Sequence, residues 1–238
     1  MPRILTSIAV ATLAIATGFS SAPAQTTTIT PTTSADSSAG LGVHAPSTYG
    51  AWIAGARHSS FHTRTGAPGY RNFYLTSVRL AWTLGGDDSS HPVSGSYFID
   101  IIPAAVSTDM PEYLWNSRCR PETLCPGATP IPHSVYAFGL APIGWALAIG
   151  SGPARLTIEA SGGGLWFNRR IPDPVATRFN FTASAGPTLE LRVTQSQTLR
   201  VGYLWHHTSN GGTGKVNPGL NSGILAAGLL WRSASSHH

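Results

Sequence analysis

The segment "LRVGYLWHHTSNGGTGKVNPGLNSGILAAGLLW", Leu199 to Trp231, carries the residues best suited to chemistry. His207 and Ser209 stand two positions apart, and Asn221 follows across a glycine-rich loop. On an extended strand, positions i and i+2 share a face, so an imidazole and a hydroxyl so spaced can meet. Together they form the base and nucleophile of acyl transfer. Gly211 and Gly212 come directly after the serine and can offer backbone N–H groups to an oxyanion. A side-chain amide from Asn210 or Asn217 can add a donor. Spacing alone leaves a plainer reading open, because "SNGG" is also an ordinary turn. A side-chain nucleophile needs no metal or cofactor, and none is expected.

The elements around these residues alternate with period 2. In "LRVGYLWH", Leu199, Val201, Tyr203 and Trp205 share one parity, while Arg200, Gly202 and His206 share the other. In "FYLTSVRLAWTL", Tyr74, Val78, Leu80, Trp82 and Leu84 oppose Ser77 and Arg79. In "GILAAGLLWR", Leu225, Ala227, Leu229 and Trp231 oppose Ser222, Gly228 and Arg232. One large apolar face and one small or polar face per strand is the pattern of a small barrel in lipid. Eight such strands are expected, near 48–58, 72–84, 95–106, 134–148, 154–167, 177–193, 198–209 and 220–232. The fold class is therefore all-β, an eight-stranded antiparallel outer-membrane β-barrel over 46–232. A soluble lipocalin-like barrel, apolar inside and polar outside, is the inverse reading of the same alternation. Parity then sends His207, Ser209 and Asn221 to the lipid side, at the outer end of strands 7 and 8. His206 has lumen parity. Polar groups facing hydrocarbon cost free energy and commonly mark function.

Composition agrees with a membrane barrel. Charged residues are 11 % of the chain, against roughly 25 % in an ordinary globular protein. The net charge of +5 is scattered rather than gathered in a stripe, which argues against a nucleic-acid partner. Residues 1–24 read as a cleaved export signal: Arg3, the apolar run "ILTSIAVATLAIA", then the small-residue site "APA" before Gln25. Residues 25–45 are a Thr/Ser/Pro-rich flexible lead, and 233–238 a polar tail. Cys119 and Cys125 fall in the longest expected outer loop and, in an exported protein, are expected to pair as a disulfide. They lack the partners of a zinc site.

The stretch "GYLWHHTSNGGTGKVNPGLNS", preceded by "GGGLWFNRRIP" and "TRFNFTASAGP", resembles the lipid A 3-O-deacylase (PagL-like, or acyloxyacyl hydrolase) family. The resemblance is specific over roughly 154–232 and general in the earlier strands. It implies an eight-stranded outer-membrane barrel that hydrolyses the ester at the 3-position of lipid A, with the site on its outer face. The partner so implied is lipid A, or lipopolysaccharide, in the outer leaflet, and a homodimer is left open. The family's H-x-S-N motif matches His207, Ser209 and Asn210. It makes His207 the general base and Ser209 the nucleophile. Gly211, Gly212 and Asn217 match the oxyanion region.

One position departs from the family. Its prototype has a glutamate completing the triad where this chain has Asn221. A carboxylate orients the histidine tautomer and stabilises imidazolium; an asparagine, as in papain-like enzymes, orients without charge. Glu159 and Glu190 lie in other strands and are not obvious replacements. An active esterase is the leading expectation, and a weakened or non-catalytic barrel is the rival.

Overall fold

The computed structural model describes residues 45–62, 68–84, 92–112, 131–171, 176–215, 217 and 219–233. The expected export signal, residues 25–44 of the lead, Cys119 and Cys125, and residues 234–238 lie outside them. The described chain is β1 (Thr48–His62), β2 (Pro68–Leu84), β3 (Val93–Glu112), β4 (Ile131–Ile149), β5 (Ala154–Ile171), β6 (Thr177–Arg192), β7 (Gln197–Ser209) and β8 (Leu220–Arg232). Each strand pairs antiparallel with its sequence neighbour, and β1 pairs with β8. The result is a closed barrel. Closure leaves no open edge, which is the condition for a sheet to cross a membrane.

Every expected strand is present. The main difference is length at one end. β3 runs to Glu112 and β4 begins at Ile131, whereas alternation suggested 106 and 134. In "VSTDMPE" and "IPHS" neither face is consistently apolar, so the pairing continues where the pattern has stopped. Pro103 and Pro142 sit inside strands but at register shifts, between Ile102 and Ala105 and between Leu140 and Ile143. A bulge tolerates the missing N–H there.

The two faces differ as lipid demands. Large apolar side chains point outward and are exposed, among them Ile143, Trp145, Trp166, Tyr203, Trp205 and Leu225. This apolar exterior is the reverse of a lipocalin-like soluble barrel, and that reading is set aside. The lumen holds two layers. Arg79 donates to Asp100 and Glu159, each at 2.7 Å, and Arg200 also pairs with Glu159. Trp52 Nε1 donates to Asp100 at 3.2 Å, and the Arg79 guanidinium lies 3.6 Å over the Phe98 ring. Buried charges persist only when partnered in this way, and removing one partner costs about 3–5 kcal/mol. Towards the loop-bearing end, Phe61, Phe73, Leu165, Phe167, Leu204 and Ile224 form an apolar plug.

Candidate active site

β7 and β8 place the candidate residues by register. His207 lies directly opposite Asn221, and Ser209 opposite Phe181 of β6. On its other side Asn221 lies opposite Ser60, beyond a register shift in β1 between Gly55 and Ser60. Period 2 keeps His207 and Asn221 on the outward face. Asn221 is exposed, His207 half-buried and Ser209 buried at 9 % exposure.

The imidazole is held on several sides. Its Nδ1 lies 2.8 Å from Asn221 Oδ1. An amide oxygen only accepts, so Nδ1 carries the proton and donates. Nε2 is thereby left with its lone pair, the form a general base requires. The Trp205 ring stacks on the imidazole with centroids 5.7 Å apart and planes 10° from parallel. Gly219, arriving from the loop, approaches so closely that a Cβ there would stand 2.5 Å from His207 Cε1. Neither contact was read from the sequence as a contact with His207. Shared strand parity, two residues before the histidine, was the available signal for Trp205. Gly219 had none, because loop conformation decides its approach.

Ser209 makes no hydrogen bond with His207 among the described residues. The two side chains leave the same strand face about 7 Å apart along the backbone, and such catalytic bonds are often open until substrate arrives.

The loop after Ser209 is braced internally. Asn210 N–H donates to Asn217 Oδ1 at 3.0 Å, and Gly212 N–H donates to Asn210 Oδ1 at 2.9 Å. Thr213 donates to the Asn210 carbonyl through both N–H and Oγ1. Gly211 and Gly212 take φ of 61° and 82°, in the left-handed region where a side chain is strained. The Gly212 N–H is therefore not free. The Gly211 N–H makes no hydrogen bond among the described residues.

The remaining carboxylates discussed from the sequence stay apart from this surface. Glu159 lies in the lumen network, and Glu190 faces Arg200 across the β6–β7 pair. His206 points inward, with Nε2 2.8 Å from Thr182 Oγ1 and its ring stacked 4.8 Å from that of Phe73. Among the described residues no three His, Cys, Asp or Glu side chains gather as metal ligands would.

A family model described as lipid A 3-O-deacylase (PagL) matches residues 112–229. Over that span the chain is similar to the lipid A 3-O-deacylase family. The matched span holds His207, Ser209, Asn210, Asn217 and Asn221. Among solved structures, that of the outer membrane enzyme PagL is similar at 15 % identity and a TM-score of 0.41, covering 76 % of this chain and 97 % of that one. The structure of Neisserial surface protein A is similar at 12 % identity and a TM-score of 0.29, covering 80 % and 99 %. Among curated proteins none matches the chain.

Proposed function

We propose that this protein is an outer-membrane serine esterase that removes the ester-linked acyl chain from the 3-position of lipid A. The observation that carries the reading is the His207–Asn221 hydrogen bond on the outward face, with Ser209 two residues further along the same face. The family match supports the substrate class. The export signal at 1–24 would deliver the chain to its membrane.

The chemistry follows from the tautomer. Ser209 Oγ attacks the ester carbonyl while His207 Nε2 takes the hydroxyl proton. The tetrahedral oxyanion is met by the Gly211 N–H and by an amide of Asn217, on a loop held in shape by Asn210 and Gly212. As the ester bond breaks, the imidazolium returns the proton to the departing sugar oxygen. Water, deprotonated in turn by His207, then releases the acid from Ser209. Asn221 fixes the imidazole throughout. Because the site faces lipid, substrate arrives laterally in the leaflet, and Tyr203, Phe181 and Leu225 offer exposed apolar surface beside it for acyl chains.

Detergent-folded protein incubated with lipid A tests this. Release of one fatty acid, lost in Ser209→Ala and mapped by mass spectrometry to the 3-position ester, is the expected result. Release from another position would refute the positional assignment.

A second reading rests on Asn221. A neutral amide supplies no charge to the imidazolium, and an Asp-to-Asn change at the corresponding position of a serine protease lowers kcat by about 10⁴. On this reading the barrel binds lipid without turnover. Wild-type protein that binds lipid A micelles and releases no acid would favour it.

A further inference from the structure

The stacked pair at the site bears on that neutral third position. We propose that Trp205 is a positioning residue whose ring face stabilises the His207 imidazolium, supplying part of what a carboxylate at Asn221 would give. The inference rests on the esterase reading above.

Three observations meet here. First, the imidazolium needs a counterpart, and Asn221 offers only a neutral oxygen, 2.8 Å from Nδ1. Second, three of the described carboxylates are committed elsewhere: Asp100 and Glu159 are held by arginines in the lumen, and Glu190 has lumen parity. Third, Trp205 lies 5.7 Å from the imidazole, 10° from parallel. An indole face within about 6 Å of a cation attracts it, and tryptophan is the strongest of the aromatic residues in this role.

The alternative duty of Trp205 is an ordinary place in the interfacial aromatic belt. That duty asks only for an indole at the right depth. It does not require a ring laid parallel to the base. Gly219 closes the imidazole from its Cε1 edge, where a Cβ would stand 2.5 Å away. The ring therefore has little freedom to leave the indole. The attraction grows where water is excluded, as at a site covered by a lipid substrate. It is also differential: the neutral imidazole of the resting enzyme gains less than the imidazolium formed in the transition state, so the benefit falls on kcat.

The test uses full-length protein folded in detergent, with lipid A in mixed micelles, and separates kcat from KM. Wild type, Trp205→Phe and Trp205→Leu are compared, each also in the Asn221→Asp background. Trp205 is 51 % exposed, so these changes leave the lumen packing untouched. Trp205→Leu is expected to lower kcat about tenfold with KM changed less than about twofold. Trp205→Phe, which keeps a π face, restores most of the loss. In the Asn221→Asp background the cost of Trp205→Leu shrinks to about twofold, because the carboxylate now carries the charge. The proposal is overturned if Trp205→Leu leaves kcat unchanged, if it raises KM alone, if Phe is as poor as Leu, or if the cost is equal in both backgrounds. Wild-type turnover distinguishes the two levels of the argument. With it, only the role of Trp205 is at stake; without it, the esterase reading fails and this one with it.

Discussion

His206 and His207 are adjacent in sequence and opposite in circumstance. Each ring is stacked on an aromatic side chain, His206 on Phe73 and His207 on Trp205. Each has one side-chain hydrogen bond, to Thr182 and to Asn221. His206 sits in the sealed lumen at 3 % exposure, while His207 lies on the lipid-facing side beside the open end of β8. A single step along a strand therefore separates a packing histidine from one that substrate can approach. The lumen around His206 and the charge network below it hold the barrel. The surface around His207 is built on that support and is free to specialise.

The largest effect should come from Ser209→Ala. Acyl release is expected to fall by about 10³-fold or more, while heat-modifiable gel mobility stays that of wild type. Arg79→Ala addresses the other region. It leaves Asp100 with no cation and Glu159 with Arg200 alone, and should lower stability by about 3–5 kcal/mol, seen as loss of the folded band at lower temperature. Turnover per folded molecule should stay within about twofold of wild type. If instead Arg79→Ala silences a still-folded barrel, the two regions are not separable in the way described.

Smaller changes sharpen the contrast. Asn221→Asp keeps the shape of the His207 partner and adds a charge, so kcat should rise about tenfold. Gly219→Ala pushes a methyl against the imidazole and should lower kcat about tenfold, with the barrel still folded. The smallest effect belongs to His206→Phe. It keeps a ring against Phe73 but leaves the Thr182 hydroxyl unbonded, at a cost of about 1 kcal/mol in stability. Its turnover should match wild type.

Much of this was legible in the sequence, for a physical reason. Where a strand lies in lipid, each side chain is sorted by solvent, so Leu199 to Trp205 display their faces openly. The parity of those strands gave His207, Ser209 and Asn221 the outward face, where Asn221 is exposed, His207 half-buried and Ser209 buried. Strand ends beyond the hydrocarbon are not sorted, which is why β3 and β4 are longer than their alternation. The lumen network was hidden because its partners are distant in sequence: Arg79 and Glu159 are 80 residues apart and meet only when the barrel closes. The loop bonds of Asn210 and Gly212 were hidden because turn sequences specify flexibility, not which donor is taken. The stack of Trp205 on His207 was half visible: parity gave the shared face, and side-chain geometry gave the contact.

The most direct measurement is mass spectrometry of lipid A from cells carrying the wild-type protein and, in parallel, the Ser209→Ala variant, with both barrels verified as folded in the outer membrane. Lipid A from the wild-type cells should lose the mass of one ester-linked acyl chain, and that from the variant cells should keep it. Unchanged lipid A in both, or the same loss in both, would contradict a serine esterase built on Ser209 and His207.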